Sequence, residues 1–141
     1  IVRLIREEVG AGAFPAHAAI VSSPLFAQPL QALFLESRVK HIVVLDADDP
    51  SLTEKTKNAD LLIVAVGRPH FVKKEAVKPD AIVIDVGTTP SENGLLGDVD
   101  FDAVLPIVRA ITPVPGGVGP MTVAMLLVNI LKAYHLQHPS Q

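Results

Sequence analysis

Four short runs of unbroken apolar residues constrain this chain more than any other feature: Ala18-Ala19-Ile20-Val21, Ile42-Val43-Val44-Leu45, Leu61-Leu62-Ile63-Val64-Ala65 and Ala81-Ile82-Val83-Ile84. Each is too short for a buried helix, and each is apolar on both faces, as strands of a parallel sheet covered on both sides are. Each also has its own stop. Ser23-Pro24 breaks the first, the cluster Asp46-Ala47-Asp48-Asp49-Pro50 ends the second, and Gly67 and Gly87 follow the third and fourth. Arg109-Ala110-Ile111-Thr112 reads as a shorter fifth strand.

Helical patterns fill the intervals. Val2, Leu4, Ile5 and Val9 share one face of an opening helix that Gly10 and Gly12 would end. Leu30, Leu33 and Phe34 have helical spacing within 30–37. Ser51 and Glu54 form a capping-box pattern for a polar helix ending near Asn58. Residues 88–98 read as a loop-rich region with a turn at Asn93-Gly94. The last element, Pro120 to about Leu136, is a helix apolar nearly all round, of the kind that is buried or packs on a second domain, and the tail 138–141 frays. Strands alternating with helices predict an α/β fold, an open and mostly parallel sheet of about five strands with helices on both faces. In such a sheet ligands gather beyond the carboxyl ends of the strands.

Composition narrows the function classes. A chain of 141 residues with 49% hydrophobic and 19% charged residues suits one well-cored domain. It has no cysteine, which excludes thiolate metal sites and cysteine nucleophiles and fits a reducing, cytoplasmic setting. A net charge of −3 with no basic block argues against nucleic acid or an anionic membrane as partner. The most apolar stretch, Val114–Leu131, is broken by glycines and prolines, which argues against a transmembrane span. The opening IVRLIREEVG has no signal-peptide pattern and no initiator methionine, as expected of a piece of something longer. The five histidines, His17, His41, His70, His135 and His138, show no metal-ligand spacing, and no G-x-S-x-G elbow is present.

A dinucleotide in the crevice needs close backbone approach, a helix N-terminus for its phosphates and a ribose partner. The first strand-to-helix turn, Ser22-Ser23-Pro24-Leu25-Phe26-Ala27-Gln28-Pro29, contains no glycine. Its two hydroxyls can bind phosphate or simply form an ordinary capped turn. Asp46 stands 24 residues after Ser22, near the offset at which an acid accepts from a ribose hydroxyl and repels a 2′-phosphate. It can equally belong, with Asp48 and Asp49, to a solvated turn. The densest signal is Thr112-Pro113-Val114-Pro115-Gly116-Gly117-Val118-Gly119-Pro120-Met121-Thr122. Its glycines admit a flat ligand close to the backbone, its prolines lock the loop, and it feeds a helix N-terminus.

The segment TPVPGGVGPMTVAMLL closely resembles the signature of the bifunctional methylenetetrahydrofolate dehydrogenase/methenyltetrahydrofolate cyclohydrolase family. Segments 59–69, 77–87 and 97–101 are similar to that family in the same order, so the resemblance runs from about residue 1 to about 135. It implies the C-terminal, Rossmann-like cofactor domain of an enzyme that oxidises 5,10-methylenetetrahydrofolate with NADP or NAD and hydrolyses the methenyl product to 10-formyltetrahydrofolate. It further implies that Pro115, Gly116, Gly119 and Pro120 line the folate side. Thr88 and Thr122 would approach the nicotinamide, Val66 and Gly67 would flank the adenosine, and Ser22, Ser23, Pro24 and Asp46 would complete the cofactor site. Tetrahydrofolate derivatives, an N-terminal domain of the same protein and a second copy in a symmetric dimer are the implied partners.

Two departures qualify the resemblance. The family's Tyr-x-x-x-Lys motif and folate-binding aspartate belong to an N-terminal domain, and the only tyrosine here, Tyr134, is followed by no such lysine. No catalytic residue is therefore expected in this chain, and helix 120–136 would pack toward the missing domain. The family's phosphate turn carries two glycines and an arginine where this chain has Ser23, so NAD is favoured over NADP. The alternative is a degenerate relative serving as a binding or dimerisation module.

Overall fold

The computed structural model describes residues 1–10, 14–92 and 94–138. Gly12, Asn93 and residues 139–141, for which the sequence suggests a helix end, a turn and a frayed tail, lie outside the described residues. The elements in chain order are α1 (Val2–Val9), β1 (His17–Ser22), α2 (Pro24–Glu36), β2 (His41–Leu45), α3 (Leu52–Thr56), β3 (Leu61–Ala65), β4 (Ile82–Asp85), β5 (Thr89–Ser91), β6 (Gly94–Leu96), α4 (Phe101–Val104), β7 (Ala110–Ile111) and α5 (Val118–Gln137). Single 3-10 turns lie at Lys74–Ala76 and Leu105–Ile107.

The four apolar runs and the short fifth strand form one parallel sheet of order β2-β1-β3-β4-β7. Because successive side chains point to opposite faces, each strand feeds two cores. Ala19, Val21, Leu62, Val64 and Val83 face α3, the 3-10 turn Lys74–Ala76 and α4, joined by Leu52, Ala76 and Val104. Ala18, Ile20, Leu61, Ile63, Ile82 and Ile84 face α1 and α2, joined by Ile5, Ala27, Leu30 and Phe34. This is the α/β architecture with helices on both faces that the strand pattern implies. The order reverses at β1, whose neighbours are β2 and β3, so the switch point lies at the carboxyl end of β1.

Three local expectations are corrected and one is extended. The second helix begins at Pro24 rather than Leu30: Ser23 takes the N-cap position and Pro24 the first helical position, where a missing N–H costs nothing. Ser51 does not complete a capping box; its hydroxyl and its N–H both go to Asp49 Oδ1, at 2.6 and 2.8 Å, and Lys55 Nζ takes Oδ2 at 3.0 Å. Hydrogen bonds from Ser51 and then Lys55 hold the Asp49 carboxyl down to about 2. Residues 88–98, expected to be loop-rich, also carry the short antiparallel hairpin β5–β6, with Ser91 Oγ donating to the Gly94 carbonyl at 3.1 Å. The last helix starts at Val118, and none of its described residues is buried. Val123, Leu126, Leu127, Ile130, Leu131 and Leu136 are 57% to 83% exposed. The spacing 123, 126/127, 130/131 makes an uncovered apolar stripe along one side of α5.

Candidate functional site

Parallel register brings the carboxyl ends together: Val21 opposite Leu45, Ser22 opposite Ala65, Val64 opposite Asp85 and Val83 opposite Ile111. Two buried carboxylates organise the loops leaving these ends. Asp85, the last residue of β4, is 3% exposed and accepts from Gly87 N (2.9 Å) and Asp98 N (3.0 Å) through Oδ1, and from Val99 N (2.8 Å) through Oδ2. Its own backbone is pinned by Thr112, whose Oγ1 accepts from Asp85 N at 2.9 Å and lies 3.2 Å from the Asp85 carbonyl. Asp98 is fully buried, and its Oδ2 accepts from Val66 N (2.6 Å) and Gly67 N (2.9 Å). Its Oδ1 has no hydrogen-bond partner among the described residues. Glycine is required on both sides of this pair. A Cβ on Gly87 would lie 2.3 Å from Asp98 Cγ and 2.6 Å from Asp98 N, and a Cβ on Gly97 would lie 2.1 Å from Asp85 Oδ2.

Burial pushes the Asp85 carboxyl above its ordinary value, outweighing its three N–H donors, and the neighbouring Asp98 charge acts in the same direction. The native state thus holds this proton to higher pH than the unfolded chain does. The resulting stability is complete below the unfolded carboxylate value and is lost as pH rises through the raised folded one. Asp60 runs the opposite way. The hydrogen bond from Lys78 lowers it, so its contribution is present above the unfolded value and lost as pH falls through the lowered one. Urea melts over about pH 3–7 should therefore show an acid-side gain in the native protein that Asp85→Asn abolishes, leaving only the rise with pH. An unaltered profile would exclude Asp85 as its source.

The glycine- and proline-rich segment folds as a collar over the ends of β4 and β7. Gly116 adopts φ +108°, the Val114–Pro115 peptide is cis, and Gly117 caps α5. Gly117 packs so closely that a Cβ would lie 2.6 Å from the Pro113 carbonyl oxygen. The collar and the loop after β4 enclose a cavity of about 420 Å³. Among its lining are Thr88, Pro115, Gly116, Gly119, Pro120 and Thr122. The hydroxyl of Thr122 donates to the Val118 carbonyl at 2.9 Å, which orients its side chain on the first turn of α5. Most of the remaining surface is apolar, which suits a flat, weakly polar ring.

The other six expected residues lie outside that lining, at the ends of β1, β2 and β3. Ser22 is buried, and its hydroxyl donates to the Ser23 carbonyl at 3.1 Å. Ser23 is exposed and makes no side-chain cap bond. Pro24 carries no N–H, and the amides of Phe26 and Ala27 donate to the Ser23 carbonyl at 3.2 and 3.1 Å. This helix N-terminus leaves the Leu25 amide and the Ser23 hydroxyl without a hydrogen-bond partner among the described residues. Asp46 is exposed, and its Oδ1 accepts from Asp48 N at 3.0 Å. Val66 and Gly67, the latter at φ +68°, present their amides inward to Asp98. Among the described residues no group of three or more His, Asp or Glu side chains is placed to hold a metal ion, and no helix is long and apolar enough to cross a membrane.

Sequence reasoning missed Asp85, Asp98 and Arg68. The signals were an acid ending an all-apolar strand, an acid following Gly97, and a cation directly after the Val66-Gly67 turn.

Residues 1–138 match the family model for the NAD(P)-binding domain of tetrahydrofolate dehydrogenase/cyclohydrolase. This chain belongs to that family. The family chain is 39% identical over 143 residues to a bifunctional FolD protein of Acinetobacter baylyi, covering 98% of this chain and 48% of that protein. It is 47% identical over 128 residues to the FolD protein of Chlamydia pneumoniae, with 84% and 45% covered. Among solved structures, the Campylobacter jejuni FolD methylenetetrahydrofolate dehydrogenase/cyclohydrolase superposes with a TM-score of 0.85 at 35% identity, over 96% of this chain and 49% of that one. The Trypanosoma brucei enzyme, solved with NADP cofactor and inhibitor, gives 0.86 at 31% identity over 99% and 50%. This member of the tetrahydrofolate dehydrogenase/cyclohydrolase family spans about half the length of the relatives it matches.

Proposed function

We propose that this chain is the cofactor-binding half of an enzyme that oxidises 5,10-methylenetetrahydrofolate with NAD or NADP and hydrolyses the methenyl product to 10-formyltetrahydrofolate. The observation that carries the reading is the convergence of Thr88, Thr122 and the collar 115–120 on one apolar cavity at the carboxyl ends of β4 and β7. The chain would contribute half a cleft. A bound nicotinamide supplies the acceptor for the hydride that leaves the folate methylene carbon. The chain's own part is positional: Thr88 and Thr122 offer hydroxyls to a carboxamide, the collar excludes water, and Pro115, Gly116, Gly119 and Pro120 face the pterin. Val66 and Gly67 flank the adenosine, while Ser23 and the Leu25 amide meet the pyrophosphate. Ser22 and Pro24 shape that turn. NAD is favoured because Asp46 would place like charge against a 2′-phosphate and Ser23 supplies no cation. The uncovered stripe of α5 would seat the N-terminal domain, and the parent would work in the cytoplasm as a homodimer.

No residue lining the cavity is a proton-transfer group suited to the hydrolytic step apart from Asp85, which is committed to three backbone amides. The 141-residue chain should therefore bind dinucleotide without turning over. Titration with NAD and NADP, beside assays for both activities, tests this. Turnover of methenyltetrahydrofolate by this chain alone would overturn the division of labour. Absence of dinucleotide binding would support the second reading, a degenerate binding or dimerisation module, which the proline-blocked N-terminus of α2 favours.

A further inference from the structure

Arg68 sits immediately after the turn whose amides are pinned on buried Asp98, so its backbone is fixed from below. Its guanidinium reaches across to the loop after β2 and grips Asp48 with two hydrogen bonds, Nη1 to Oδ1 at 2.7 Å and Nη2 to Oδ2 at 3.2 Å. The Phe71 ring lies beneath it, 5.7 Å from the guanidinium carbon to the ring centroid. Asp48 is itself tied to Asp46, the acid at the end of β2, by its backbone amide. Since β1 lies between β2 and β3 in the sheet, this ion pair spans the carboxyl end of β1, where the order reverses. That is where a dinucleotide ribose meets the protein in a doubly wound sheet.

Resting on the dinucleotide reading above, we propose that Arg68 sets the discrimination between NAD and NADP, because Asp48 competes with a 2′-phosphate for the same guanidinium. A guanidinium carries five N–H donors in a planar fork that matches carboxylate and phosphate alike. Two donors are spent on Asp48, and the side chain is about half exposed, so its outer edge can take an incoming anion. While Asp48 holds it, the charge of Arg68 is matched, and Asp46 leaves the ribose side acidic. That state favours an unphosphorylated ribose. Freed from Asp48, the same guanidinium becomes the counter-ion for the 2′-phosphate that Ser23 cannot provide. The electrostatics agree in direction: Asp48 is held below its ordinary range by the Arg68 hydrogen bond and charge, and Arg68 is raised by Asp48 and, less strongly, by Asp46.

The test is calorimetric titration of the protein, Asp48→Asn, Arg68→Ala and the double variant with NAD and with NADP. Both positions are exposed on the surface, and thermal melts confirm that each variant is folded. Asp48→Asn should tighten NADP about fivefold, the scale of one exposed ion pair, and leave NAD nearly unchanged. The double variant should lose that gain, and added salt should erode it. Dinucleotide binding with an NADP-to-NAD ratio unmoved by Asp48→Asn, or a gain that survives Arg68→Ala, overturns the assignment while leaving the dinucleotide reading intact. Failure of every variant to bind either dinucleotide overturns that reading and the assignment with it.

Discussion

Gly87→Ala should cost about 4 kcal/mol or more of folding stability. The new Cβ would sit 2.3 Å from Asp98 Cγ and 2.6 Å from the Asp98 backbone nitrogen. Neither neighbour can give way. Asp98 is held by the amides of Val66 and Gly67, and its own N–H is held by Asp85. Overpacking alone costs about 1–3 kcal/mol, and each displaced hydrogen bond to a charged group about 1.5–3 more. The matched control is Gly119→Ala, where a Cβ meets nothing within 4 Å and φ is not positive. Its stability should stay within about 0.5 kcal/mol of the parent. Urea denaturation of the two variants decides the point. Similar midpoints would mean that the Asp85–Asp98 pair relaxes freely and is no keystone.

The second large effect concerns α5. A 20-residue helix without a buried residue leaves an apolar stripe from Val123 through Leu126, Leu127, Ile130 and Leu131 in contact with water. Covering one such side chain contributes roughly 1.5–3 kcal/mol, so a chain carrying this stripe uncovered should self-associate. Sedimentation equilibrium is expected to show concentration-dependent association at micromolar protein. Leu127→Glu with Leu131→Glu should return it to monomer while leaving the thermal transition in place, because neither residue contributes to either core. A strict monomer in the unmodified chain would show that the stripe is tolerated in water.

The sheet was legible from sequence because its strands are apolar on both faces, a pattern few other structures require. Ile20, Ile63 and Ile84 could hardly have faced solvent. The start of α2 was harder to read, since a proline after a strand signals a break and a helix start equally well, and only the Ser23 cap position decides between them. The β5–β6 hairpin escaped because its three-residue strands contain Pro90 and Gly94, which read locally as loop. At the site, the collar stood out through its density of glycine and proline. The carboxylate pair did not, because Asp85 ends β4 while Asp98 lies in the loop after β6, and their meeting depends on the hairpin between them. Nor did the bond between Arg68 and Asp48, 20 residues apart, which needs the strand order to be known.

The two buried acids have one further consequence. The amides of Val66, Gly67, Gly87, Asp98 and Val99 all end on carboxylate oxygens inside the protein. These segments are thus set before any ligand arrives, and the ordering entropy that a mobile rim would surrender at each encounter has already been met during folding. The interior carboxylates act as a jig that fixes the shape of the crevice. Side chains facing outward from these loops are then free to vary in size and charge without altering its outline.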